Sequence, residues 1–172
     1  MTVAVETGTW QLDPAATTVA LRHKTFWGLV TVKGAFTAVT GNGEVRPDGS
    51  AVGTITLDVA SLDTRSAKRD EHLRSADFFD AANHPEITFA VRGAELRDGD
   101  GVHVVGQLTV RGISRPKSFT ARLVGADAEA LTLDAEFTVD RDQFGMDWNQ
   151  LGMIRGLTTV AATLRFTRTA AA

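Results

Sequence analysis

Cysteine and tyrosine are both absent from the 172 residues, proline occurs four times and tryptophan three times. Without cysteine there are no disulfides, no thiolate nucleophile and no zinc-thiolate site. Basic residues are not in excess: 18 Lys and Arg against 21 Asp and Glu give a formal charge of -3 and a pI near 5.8. No cationic face is therefore expected to release counterions from a phosphate backbone, and nucleic acid is not an expected partner. No stretch approaches the roughly 18 consecutive apolar residues of a membrane-spanning helix. The first residues, Met1 to Gly8, lack a basic start and an apolar segment of the kind that directs secretion. The expected compartment is cytoplasmic, or periplasmic or secreted if a leader has been trimmed.

What is present is period-two alternation. Leu131, Leu133, Ala135, Phe137 and Val139 alternate with Thr132, Asp134, Glu136 and Thr138, as in a strand with one buried face. Val102, Val104, Gly106, Leu108 and Val110 alternate in the same way with their neighbours. Similar patterns predict strands over 8–12, 17–23, 30–40, 51–60, 86–93, 117–125 and 158–168, about nine in all. Turn chemistry is expected at Gly41-Asn42-Gly43, Arg46 to Gly49, Arg97 to Gly101 and Gly112 to Pro116. The segment 64–79 breaks the pattern and predicts a short amphipathic helix capped by Asp63 or Thr64. Asn83-His84-Pro85 should then be extended and launch a strand. No linker, repeat or low-complexity tract divides the chain, so 1–172 is expected to be one domain. So many short strands must hide their edges, by closing into a barrel or pairing as a two-sheet sandwich.

Small residues interrupt the apolar faces, among them Gly34, Gly53, Gly106, Ala135 and Ala162. Either they leave space in the barrel or they mark bulges and corners where strands bend. The histidines, His23, His72, His84 and His103, lack the i, i+4 spacing of a helical metal pair. Ser61, Ser66 and Ser75 have no nucleophile-elbow context. Arg69 and Asp70 read as a structural ion pair. Neither a metal nor a cofactor is called for.

Four segments carry a family resemblance: Trp10-Gln11-Leu12-Asp13-Pro14; Thr64 to Leu73 with its continuation through Phe78-Phe79 to Phe89; Gly106 to Pro116; and Asp140-Arg141-Asp142-Gln143-Phe144-Gly145-Met146. Together they resemble the YceI-like family of lipocalin-like polyisoprenoid-binding proteins. The resemblance implies an all-β fold, an extended eight-stranded antiparallel lipocalin-like barrel with one short helix. It also implies a homodimer and an isoprenoid, such as an isoprenoid quinone, held in the lumen with its polar head toward the opening. Where the family often carries a His-Ser pair after the Asp-Pro, this chain has Ala16-Thr17, so no head-group contact is carried over there.

The expected function is to bind and carry or store a long apolar lipid without catalysis. Its expected ligand contacts are Trp27, Phe36, Leu73, Phe78, Phe79, Phe89, Leu108, Phe119, Phe137 and Phe144. Arg141, Phe144 and Gly145 read alternatively as a lid or corner, and Trp10 and Trp148 as plugs of a barrel end. Two other readings stay open. One is an enzyme acting on a lipid or stress metabolite through Arg69, Asp70 and His72 or through Arg141 and Asp142. The other is a filled barrel serving only for dimerisation.

Overall fold

The computed structural model describes residues 5–25, 30–97, 99–146 and 157–171. In chain order the strands are β1 (Gly8–Leu12), β2 (Thr18–Thr25), β3 (Val30–Phe36), β4 (Val39–Val45), β5 (Ala51–Asp58) and the short β6 (Leu62–Asp63). After helix α1 (Ala67–Arg74) come β7 (Glu86–Leu96), β8 (Gly101–Val110), β9 (Ile113–Ala126), β10 (Ala130–Val139) and β11 (Thr158–Ala171). Antiparallel pairing runs β1-β4-β5-β7-β8-β9-β10-β11, and β11 returns to β1, closing the ring with eight members. The fold is a closed eight-stranded antiparallel barrel with one helix.

The difference between nine predicted strands and eight staves has a local cause. β11 pairs with β1 over Phe166–Ala171 and with β2 over Thr159–Thr163, so β1 and β2 share one edge. Between them a single turn of 3-10 helix, Pro14–Ala16, bows out of line. Asp13 accepts the Ala15 amide at 3.1 Å, and Pro14 starts the turn where its missing N–H costs nothing. Thr17 then repairs the ladder: its hydroxyl donates to the Asp13 carbonyl at 2.8 Å and accepts the Arg165 amide at 3.2 Å. β3 and β4 match this kinked stave, pairing with β2 and β1 respectively.

Several expected boundaries move. Gly41-Asn42-Gly43 is not a turn but the middle of β4: β5 pairs with all three residues and β1 with Asn42 and Gly43. The hairpin between β4 and β5 lies at the other expected turn, Arg46 to Gly49, closed by the Arg46 amide donating to the Ser50 carbonyl at 2.8 Å. The turn expected over 112–116 contracts to Arg111-Gly112, both at positive φ, and β9 already begins at Ile113. Pro116 is tolerated inside β9 because β10 does not pair with that half of the strand. Helix α1 is shorter than 64–79, and its cap is Ser66, whose hydroxyl accepts the Arg69 amide at 3.3 Å.

Packing divides into two apolar groups at the two ends of the barrel. Leu12, Val19, Phe36, Leu62, Phe78 and Phe144 belong to one, and Trp10, Val45, Val104, Ala121 and Leu123 to the other. No helix among the described residues is long and apolar enough to cross a membrane.

Candidate functional site

The inward positions of the staves do not meet at the centre. They enclose a cavity of about 260 Å³, far above the roughly 10–15 Å³ that admits one water and just below the roughly 300–1,000 Å³ of ordinary small-molecule sites. Its walls draw on both apolar groups, from Trp10 and Val45 through Ile55, Phe89 and Leu108 to Phe36 and Val160. The barrel is hollow, which is not the arrangement expected of a filled dimerisation module.

Six of the expected contacts line this cavity: Phe36, Phe79, Phe89, Leu108, Phe119 and Phe137. Their rings are mutually organised. Phe119 stacks on Phe137 with centroids 4.5 Å apart and planes at 13°, Phe89 lies 5.6 Å from Phe119, and Phe36 meets Phe79 edge-on at 6.2 Å. Phe78, Phe144 and Leu73 lie outside the lining and pack in the apolar group beneath the helix and the Arg141–Phe144 turn. Helical spacing gave no way to tell a lumen ring from one buried between helix and barrel. Trp27 and Trp148 lie outside the described residues. Trp10 does close against the lumen: it is 2% exposed, and its indole N–H donates to the Glu6 carbonyl at 3.0 Å.

The wall also has polar members, Asn42, Thr54 and Thr158 among them, together with Arg141, which sequence suggested only as part of a lid or corner or of the enzymatic reading. Arg141 lines the cavity and is buried, with its guanidinium 5.7 Å from the Phe78 ring. Glu44, also charged and in the lining, is exposed. The turn carrying Arg141 is a built corner. Asp140 accepts the Asp142 amide at 3.0 Å, Gly145 ends the turn at φ 74°, and Arg115 donates from Nε to the Gln143 carbonyl at 3.0 Å. The Arg111 guanidinium donates to the Gly145 carbonyl and, at 3.2 Å, to that of Ala76, tying this corner to the segment after α1. The Asp-Arg-Asp-Gln-Phe-Gly run was a signal for the corner, but nothing in its spacing announced that Arg141 turns inward.

The residues of the enzymatic reading are not assembled. Arg69 and Asp70 form no ion pair among the described residues; the Thr64 hydroxyl stands between them, accepting from Arg69 Nε at 2.8 Å and donating to Asp70 at 2.5 Å. Asp70 also takes the Thr64 amide at 2.9 Å, so this buried carboxylate anchors the start of the helix. His72 faces Asp77 at 2.9 Å on the exposed side. Of Arg69, Asp70, His72, Arg141 and Asp142, Arg141 alone lines the cavity. Among the described residues, two carboxyls held below their ordinary range are on hairpin turns: Asp48 through the Ser50 hydroxyl and amide, and Asp127 through the amides of Glu129 and Ala130.

Comparison with known proteins agrees with this architecture. BcnA from Burkholderia cenocepacia superposes with a TM-score of 0.81 at 21% identity, covering 90% of this chain and 98% of that one. A polyisoprenoid-binding domain from Saccharophagus degradans, implicated in plant cell wall breakdown, gives 0.75 at 15% identity, covering 93% and 98%. These likenesses concern the fold. In sequence, Protein YceI of Escherichia coli O17:K52:H18 is 41% identical over 71 residues, 41% of this chain and 37% of that protein. The UPF0312 protein ECA1782 of Pectobacterium atrosepticum is 38% identical over 82 residues, 48% of this chain and 42% of the relative. The chain therefore spans less than half the length of these relatives. The family model for the YceI-like domain nonetheless matches residues 10–168, nearly the whole chain, and the chain belongs to that family.

Proposed function

We propose that this protein binds and carries or stores a polyisoprenoid or similar long apolar lipid in the barrel lumen, without catalysing its conversion. The observation that carries this reading is the apolar, aromatic-lined cavity of about 260 Å³ inside a closed barrel of the YceI-like family. A polyisoprenoid-binding domain among the structural relatives supports the ligand class. Removing an alkyl chain from water yields about 0.8 kcal/mol per CH₂, so about fifteen such groups give roughly 12 kcal/mol gross. Ordering the chain and immobilising it offset several kcal/mol, leaving a Kd of roughly micromolar to nanomolar. Apolar contact alone scarcely separates one prenyl tail from another, so selectivity falls to lumen length and to the few polar groups of the wall.

Burial argues against the enzymatic reading. General acid-base chemistry needs two titratable groups facing one cavity with their pKa values pushed apart, and the candidate acids and bases do not share the lumen. The isoprenoid-quinone head, the homodimer and the cytoplasmic compartment complete the proposal. Native mass spectrometry of gently purified protein, followed by organic extraction, tests ligand and subunit number together. A prenyl species at one per chain is the expected result. Protein that carries no lipid and takes up no added prenyl quinone would overturn the reading.

A further inference from the structure

Among the described residues, neighbouring staves lose their shared ladder at the β9–β10 wall, as they do along the second edge of β3, where only Ala35 and Phe36 pair with β6. All ten residues of β10 pair with β11, whereas only Leu131–Asp134 pair with β9, opposite Arg122–Ala126. Below that point Ala135–Val139 and Ile113–Ala121 lie on neighbouring staves without a shared ladder. Backbone donors and acceptors along such an edge are ordinarily claimed by another strand. Here side chains span the interval instead. Lys117 occupies an inward-phase position but sends its ammonium across to the Thr138 carbonyl, 5.4 Å from the Phe137 centroid. Next to it lies the Phe119–Phe137 stack, and both rings line the cavity while remaining partly exposed. Among the described residues, side chains that bridge this seam are Lys117, the Phe119–Phe137 pair and, at its lower end, Arg115, whose Nε donates to the Gln143 carbonyl at 3.0 Å.

We infer that the β9–β10 seam is the portal through which a long apolar chain passes sideways into the lumen, with Lys117 and the Phe119–Phe137 pair as its latch. The inference rests on the lipid-binding reading above. Side chains can rotate away without breaking a backbone ladder, so the barrel opens here with its remaining pairing intact. A flexible chain can slide in along its length, and its head group need not be stripped of water to enter.

The chain has no cysteine, so a pair introduced on the outer face, S118C/T138C, is unique in the molecule, and both positions are exposed. The test follows uptake of a dansyl-labelled farnesyl chain by stopped-flow fluorescence before and after bridging the pair with a bis-maleimide; a single-headed maleimide is the control. Bridging is expected to slow filling at least tenfold while leaving the final occupancy unchanged, and the control reagent to leave the rate alone. Lys117→Ala, which removes the latch without reagent, is expected to speed filling severalfold and serves if the double variant folds poorly. Equal rates in bridged and unbridged protein, or in Lys117→Ala and the parent, would overturn the portal alone. Failure of the parent protein to take up the probe would instead overturn the lipid-binding reading on which it stands.

Discussion

The ring of Phe89 fills the space that a side chain at Gly106 would occupy: a Cβ built there meets Phe89 Cε1 at 2.7 Å, and it collides with the Ala90 carbonyl as well. Gly106 is buried in β8 opposite Val91, beside the irregularity at Arg92 where β7 carries an extra residue. The glycine thus lets one strand press against the next and turns Phe89 into the lumen. Gly106→Ala is expected to destabilise the barrel by about 1–3 kcal/mol, the usual cost of overpacking. Urea denaturation reads this directly. Phe89→Ala in the same chain should recover only part of the loss, because the carbonyl cannot move away as a ring can.

Asp70 sits at the junction of helix and barrel, holding both the amide and the hydroxyl of Thr64. Asp70→Ala strands two donors in a buried setting, and an unsatisfied buried group costs about 1–3 kcal/mol. The expected outcome is a loss of that size in chemical denaturation. Asp70→Asn should lose less, since its amide oxygen still accepts. Equal stability of Asp70→Ala and the parent would mean that water replaces the carboxylate.

Alternation in the sequence sufficed to predict strands such as 131–139, because one face meets the core and the other meets solvent. It failed where tertiary contacts overrule local chemistry. Gly41-Asn42-Gly43 has the composition of a turn, yet β5 pairs with all three residues and β1 with Asn42 and Gly43. The small inward residues carried two meanings that sequence could not separate: Gly53 and Gly106 mark close strand approach, while Ala135 and Ala162 line the lumen. For the site, inward phase found Phe36, Phe89, Leu108, Phe119 and Phe137. Phe78 and Phe144 are equally aromatic but are directed by a helix end and a 3-10 turn, where no period reports the facing. Arg141, named only as a lid or corner residue or an enzymatic candidate, had no period to report its inward facing for the same reason.

Two turns should respond to acid. The Asp48 carboxyl is held below its ordinary range first by the Ser50 hydroxyl and then by the Ser50 amide, and Asp127 by the amides of Glu129 and Ala130. A depressed folded-state pKa contributes stability that is present above the unfolded value, about 3.9, and lost as pH falls through the folded one. The Ser50, Glu129 and Ala130 amide resonances are therefore expected to titrate with midpoints below 3.9. Asp48→Asn should abolish the Ser50 transition. Midpoints at or above 3.9 would show that these bonds do not persist in solution.

The lumen itself can be tested by filling it. Ala162 lines the cavity, pairs with Ala135 on β10 and Val19 on β2, and is one of the small residues on an inward face. Ala162→Phe brings a ring to this position. In a close-packed core it would cost about 1–3 kcal/mol in strain, which for a chain of this size lowers Tm by roughly 2–4 °C per kcal/mol. In a hollow barrel the ring finds vacant apolar space, buries its own surface and displaces the ligand. The expected result is a Tm unchanged or raised, with uptake of the dansyl-farnesyl probe reduced at least tenfold. A lowered Tm with uptake unchanged would mean that the ring is not accommodated in the lumen and that the ligand lies elsewhere. The two readouts move in opposite directions under the two packings, so thermal stability and probe binding measured on the same preparation decide between them.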